Sequence, residues 1–136
     1  MMIPKTVLII DDSPVVRKLL SNLVNRLLKT VTIYTAGTYD EAVSIMNEKT
    51  IDLAIFDYML DEENEVTYNG IELAKIFKNK FPRSYSILCS AAMRFSYNIP
   101  ELMRQDIINV YISKPLSENK LCDIINAVLE YNPSLV

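Results

Sequence analysis

The 136 residues give room for one domain of ordinary size, and with 50% of them hydrophobic and 23% charged they can bury a core. A formal net charge of −3 offers nucleic acid no cationic footprint, and no apolar run approaches the roughly 18 residues of a membrane span. With no histidine, only Gly37 and Gly70, and no CxxC around Cys89 and Cys122, the chain cannot write a histidine triad, a phosphate-cradling glycine loop or a thiol-redox motif.

Taken in chain order, the apolar run at 7–10 suits a strand covered on both faces. Ser13-Pro14 supplies a helix cap and a first-turn proline, and Val16, Leu19, Leu20, Leu23, Val24, Leu27 and Leu28 keep the helical period behind it. Residues 31–35, rich in β-branched side chains, read as a second strand. Thr38-x-x-Glu41 is a capping box for a helix running to about Glu48. A third strand at 51–56 ends at Asp57, and the acidic stretch 61–67 reads as irregular. Asn69-Gly70 opens a helix with Ile71, Ala74, Phe77 and Phe81 along one side, closed by Pro82 and Arg83.

The fourth strand is 86–90. Pro100 belongs in the first turn of a short helix with Leu102 and Met103 facing inward, and 110–113 is the fifth strand. Ser117 caps a last helix carrying Leu121, Ile124, Ile125, Val128 and Leu129, which Pro133 ends. Strands alternating with helices in this way imply an α/β fold with a parallel sheet and helices on both faces, because parallel strands need crossovers about a helix long. No repeat or linker divides the chain, so residues 1–136 are expected to form a single domain. The N-terminus turns acidic too early for a signal peptide, which points to a soluble cytoplasmic protein with both cysteines buried and reduced.

In such sheets the ligand site lies at the carboxyl ends of the strands. Those positions hold Asp11 and Asp12 after the first strand, Asp57 after the third, Ser90 at the end of the fourth and Lys114-Pro115 after the fifth. Crowded carboxylates repel one another and call for a lysine or a hard divalent cation. Mg²⁺ suits them, since it takes one or two carboxylates, keeps waters and accepts phosphate oxygens, so the chemistry indicated is phosphoryl handling. Each residue alone has a plainer reading: helix-start acids at 11 and 12, a turn acid at 57, a capped hydroxyl at 90, a strand aromatic at 111, a solvated lysine at 114. Their joint occurrence at matched positions of one topology outweighs those readings.

The segments IIDDSP, AIFDYML, CSAA and ISKPLS, in that order on a β/α alternation, resemble the receiver domain of two-component response regulators over about residues 5–130. The resemblance implies a flavodoxin-like, doubly wound sheet of five strands in the order 2-1-3-4-5. It implies a stand-alone receiver of the chemotaxis-regulator kind, without an output domain, that acts as a phosphoacceptor in a phosphorelay rather than as a turnover enzyme. Asp57 would take the phosphoryl group from a sensor histidine kinase or phosphotransfer protein. Asp11, Asp12, Asp57 and the backbone carbonyl of Met59 would hold Mg²⁺. Lys114 would pair with phosphoryl oxygens, Ser90 would swing to bind one of them beside the small Ala91, and Tyr111 would turn inward with it. That motion would shift the face of the fourth helix, fifth strand and fifth helix, where an unknown downstream protein binds; neither nucleic acid nor membrane is an expected partner. A cis Lys114–Pro115 bond is also implied.

The chain departs from the family pattern in four places. Leu60-Asp61 stands where Met-Pro is usual. Gly70 comes 13 positions after Asp57, later than the family's glycine, behind an acidic insertion carrying Asp61, Glu62, Glu63 and Glu65. Asp106-Ile107-Ile108-Asn109 replaces a small Gly-Ala pair. Met59 and Ala92 stand where side chains tune water access to the acyl phosphate, and neither orients a water, so slow self-dephosphorylation is expected. Two other functions compete: an interaction module that never takes phosphate, against which intact Asp57 and Lys114 argue, and a Mg²⁺-dependent phosphohydrolase. The latter places its nucleophile after the first strand with a second Asp two residues on, whereas here the acids are adjacent.

Overall fold

The computed structural model describes residues 4–58, 60–62, 65–67, 69–90, 99–114 and 117–130. In chain order they form β1 (Thr6–Ile10), α1 (Pro14–Leu27), β2 (Thr32–Ala36), α2 (Tyr39–Glu48) and β3 (Leu53–Asp57). Then come β4 (Leu60–Glu62), β5 (Glu65–Thr67), α3 (Asn69–Lys80), β6 (Tyr85–Ser90), α4 (Ile99–Arg104), β7 (Val110–Ser113) and α5 (Glu118–Glu130). Five of the strands build one sheet in the order β2-β1-β3-β6-β7, every pairing in it parallel. Counted within that sheet the order is 2-1-3-4-5, as the resemblance implies.

The period-two alternation of the central strands divides the core into two layers. Leu8, Ile10, Ala54, Phe56 and Leu88 point to one face, where Ala42 and Met46 of α2, Ile71, Ala74 and Phe77 of α3 and Leu102 of α4 cover them. Val7, Ile9, Leu53, Ile55 and Ile87 point to the other, under Leu20, Leu23 and Val24 of α1 and Leu121, Ile124, Ile125 and Val128 of α5. Apolar burial on both faces leaves the polar ends of the strands as the place for chemistry. β1 lies between β2 and β3, so the chain winds outward in both directions from it and the switch point falls beside the carboxyl ends of β1 and β3.

The helix starts follow the sequence. Ser13 Oγ accepts from Val16 N at 3.3 Å, Thr38 Oγ1 from Glu41 N at 3.1 Å, and Ser117 Oγ from Lys120 N at 3.1 Å. Glu41 closes its capping box one residue early, accepting from Gly37 N at 3.4 Å rather than from Thr38. Each such cap is worth about 1 kcal/mol.

Several expectations are corrected. Residues 61–62 and 65–67 are not irregular: β4 and β5 pair antiparallel with Leu60 opposite Thr67 and Glu62 opposite Glu65, while residues 63 and 64 lie outside the described residues. Their turn-rich, acidic sequence hides a strand pair too short to show alternation. Met103 faces outward at 42% exposure, because a six-residue helix has only one buried stripe and Ile99 and Leu102 occupy it. Leu19 is likewise 51% exposed, at the margin of the α1 stripe. Cys89 is buried but Cys122 is only partly so. Phe81 follows α3 rather than belonging to it, with its N–H still donating to Phe77 O at 2.7 Å. Ala91, Ala92, Pro115 and Pro133 lie outside the described residues, as do Met59 and the Leu129 side chain.

Candidate functional site

Strand ends and the loops after them bring the acids together. Asp11 follows β1, and its N–H donates to Ala36 O at 3.1 Å, extending the ladder with β2 by one bond. Asp57 is the last residue of β3, paired in register with Cys89 of β6. Lys114 directly follows β7, and its N–H donates to Ser90 O at 2.8 Å, which ties the lysine backbone to the end of β6. One carboxylate oxygen from each of Asp11, Asp12 and Asp57 lies within 4.8 Å of the others.

The lysine ammonium is shared between two of these acids. Lys114 Nζ donates to Asp11 Oδ2 at 2.8 Å and stands 3.3 Å from Asp57 Oδ2. Asp11 Oδ1 is also engaged, accepting from Ser13 N at 2.9 Å. Burial lowers the Lys114 ammonium, but the hydrogen bond to Asp11 and the charges of Asp57 and Asp11 outweigh it and hold its pKa above the ordinary lysine value. Asp57 shows the opposite balance. Burial, then the Asp11 charge, push its carboxyl up to about 7 against the pull of Lys114. One ammonium therefore does not neutralise this site.

That imbalance, with a donor set made only of hard carboxylate oxygens, fits a divalent cation such as Mg²⁺. Both oxygens of Asp11 already accept hydrogen bonds and Asp57 Oδ2 faces the same ammonium, so a bound cation would share these carboxylates with Lys114. The Met59 carbonyl lies outside the described residues. Cys89, next to the site, is no nucleophile, since burial pushes its thiol up to about 12.

Ser90 is buried at the end of β6. Tyr111 lies opposite Leu88 on β7 and packs, partly buried, against the core layer that contains Leu88. Because Ser90 is two residues beyond Leu88, Ser90 and Tyr111 point to the same side of the sheet as diagonal neighbours. The structure thus collects Asp11, Asp12, Asp57 and Lys114 at one point and sets Ser90 and Tyr111 on one adjoining face.

Two further residues contribute: Gly70, whose contact with Asp57 the sequence does not show, and Arg17, which sequence reasoning missed. Gly70 seats the start of α3 on Asp57: a Cβ there would lie 1.9 Å from Asp57 O. Arg17 reaches from α1 so that its Nη1 donates to Asp11 O at 2.7 Å. The scarcity of glycine was the available signal for the first; nothing in the sequence marks the second except its place one turn into the helix after the acids.

A family model for the response regulator receiver domain matches residues 7–126. The sensory transduction protein LytT of Enterococcus faecalis is 28% identical over 119 residues, which cover 88% of this chain and 46% of LytT. The chain thus spans about half the length of this curated relative. A CheY-like receiver domain protein of Methanospirillum hungatei superposes with a TM-score of 0.73 at 20% identity, covering 93% of this chain and 94% of that one. The response regulator TrrA of Thermotoga maritima, solved with Mg²⁺ and BeF, gives 0.71 at 22% identity, covering 91% and 98%. The structural likenesses carry the fold, and the family match carries membership: this chain belongs to the response regulator receiver domain family.

Proposed function

We propose that this receiver domain accepts a phosphoryl group on Asp57 from a phosphohistidine of a sensor kinase or phosphotransfer protein, in a Mg²⁺-dependent reaction, and that the modification switches a partner-binding face. The observation that supports it most is the Lys114 ammonium set between Asp11 and Asp57 in a buried cluster of three converging acids. A buried carboxylate flanked by like charges and one mobile cation is a nucleophile waiting for an electrophile that brings oxygens of its own.

In the proposed step a carboxylate oxygen of Asp57 attacks phosphorus, forming the P–O bond of an acyl phosphate. The P–N bond breaks, its electron pair stays on the imidazole nitrogen, and that nitrogen takes up a proton. Mg²⁺ would supply countercharge for the acids and for the phosphoryl oxygens, with Asp11, Asp12, Asp57 and the Met59 carbonyl as the residues that would hold it. Lys114 exchanges part of its ion pairing with Asp57 for a phosphoryl oxygen. The Ser90 hydroxyl turns toward another, and Tyr111, its diagonal neighbour, follows into the space released. Since Tyr111 sits on β7 between α4 and α5, the proposed output is a shifted population of that face rather than a new fold. A cytoplasmic site of action belongs to the same proposal; no described helix is long and apolar enough to cross a membrane.

The test is incubation with acetyl phosphate and Mg²⁺ followed by intact mass. One added phosphoryl group in the wild type and none in Asp57→Asn is the expected result. No addition to the wild type, with Mg²⁺ binding also missing, would leave an interaction module that never takes phosphate.

A further inference from the structure

We propose that Arg17 is a positioning residue for the divalent-cation site, holding the peptide between Asp11 and Asp12, and that Gly37 is the residue that makes room for it. The inference rests on the reading of these acids as a cation site.

Asp11 is held at four points, each by a different part of the fold. Its N–H donates to Ala36 O at 3.1 Å, and its two carboxylate oxygens accept from Ser13 N at 2.9 Å and Lys114 Nζ at 2.8 Å. The fourth is its carbonyl oxygen, which accepts from Arg17 Nη1 at 2.7 Å. That carbonyl belongs to the planar unit joining the two acids, so its direction fixes how the chain leaves Asp11 and enters Asp12. It lies just past Ile10, the last residue of β1 in register with β2, where the strand ladder ends. An arginine replaces the missing strand neighbour.

Gly37 explains how the guanidinium fits. A Cβ at position 37 would stand 2.6 Å from Arg17 Nη1, 3.2 Å from Cζ and 3.6 Å from Nη2. No described glycine has a positive φ, so backbone conformation does not require glycine here; the space does. Charge alone argues against an arginine beside a cation site, because it repels the ion. The two roles therefore predict opposite signs when Arg17 is removed.

The test is isothermal titration of wild type, Arg17→Met, Gly37→Ala and the double variant with Mg²⁺ alone, together with melting of each protein free of Mg²⁺. The positioning role predicts Mg²⁺ binding about 10-fold weaker in each single variant, as for other groups that orient metal ligands, and no further loss in the double. In Gly37→Ala only the far end of a flexible side chain has to move, so that variant folds even if Arg17→Met does not. Unchanged or tighter binding in Arg17→Met, or a melting loss in the variants without a change in Mg²⁺ affinity, overturns the inference. So does a double variant in which the two losses multiply, since Gly37 then acts apart from Arg17. A wild type that binds no Mg²⁺ instead overturns the cation site itself, and this inference with it.

Discussion

Gly70 is pressed against the backbone of Asp57: a Cβ at that position would lie 1.9 Å from Asp57 O, 2.8 Å from Asp57 C and 2.9 Å from Tyr58 Cα. The first turn of α3 and the end of β3 are therefore in direct contact, and the β4–β5 hairpin is an excursion between two points that already touch. Tyr58 and Leu60, which lead into it, are fully buried in the core layer beneath α3.

From this contact Gly70→Ala is expected to be costly, since the obstruction is backbone and has no rotamer to yield. A loss at the upper end of overpacking effects, about 3 kcal/mol, should appear as a lower urea midpoint with unchanged slope. Phosphorylation by acetyl phosphate should slow as well, because the relief available is displacement of the Asp57 peptide. A variant as stable and as reactive as wild type would show that α3 does not fix Asp57.

The raised carboxyl of Asp57 makes a pH prediction for the Mg²⁺-free protein. Its pKa is 3.8 unfolded and about 7 folded, so between these values the native state binds the extra proton. Stability from this group is fully present below the unfolded value and is lost as pH rises through about 7. Asp57→Asn, which cannot ionise, should thus be the more stable protein at pH 8 by a margin of order 2–4 kcal/mol over its margin at pH 4. Denaturant titrations of both proteins across this range, with chelator present, measure that difference; parallel curves would mean that burial does not disfavour the Asp57 charge.

How much of this was legible follows from what each signal needs. Strands covered on both faces announce themselves as apolar runs, so the sheet was readable from runs such as 7–10, and the strand-end positions then picked out Asp11, Asp57 and Lys114. Partnership across the fold was not readable. Arg17 and Gly37 are distant in sequence and neither belongs to a recurrent motif, so only the packed structure joins them. The hairpin was hidden because three-residue strands carry no period, and Met103 because a six-residue helix gives too few positions to fix its buried side.

Lys114 should have opposite effects on cation binding and on chemistry. It occupies Asp11 Oδ2 and lies 3.3 Å from Asp57 Oδ2, so it competes with any other cation for those oxygens. In Lys114→Met the acids lose their fixed countercharge, and Mg²⁺ should bind about 10-fold more tightly. Phosphorylation should nevertheless fall on the order of 100-fold, because the group that would meet the transferring oxygens is gone. Calorimetry and a mass-based time course give the two numbers separately. A parallel fall in both would make the lysine a structural support of the acids rather than a partner of the phosphoryl group.

At the amino end of β7, residues 106–109 form a polar staple. Asp106 alone among the described non-glycine residues has a positive φ, 61°, the conformation glycine adopts without strain. Its carboxylate accepts from Asn109 Nδ2 at 2.8 Å, and Asn109 Oδ1 accepts from buried Lys78 Nζ at 2.7 Å and from Ser86 N at 2.8 Å. Lys78 Nζ also donates to Ser84 O at 2.6 Å. Burial lowers the Lys78 ammonium pKa, and the charge of Asp106 opposes that shift. Asp106→Gly should be mildly destabilising, since relief of about 1 kcal/mol of left-handed strain offsets the lost hydrogen bond but not the lost charge that supports buried Lys78. Asp106→Ala loses the same bond and charge but keeps the strain, and should cost about 1 kcal/mol more than the glycine variant. Asn109→Ala should cost most, about 2–3 kcal/mol, because it strips an acceptor from a buried ammonium and from a buried N–H together. Urea unfolding of the three variants orders them. If Asn109→Ala were the mildest, the staple would not be what holds the end of α3 to the base of β6 and β7.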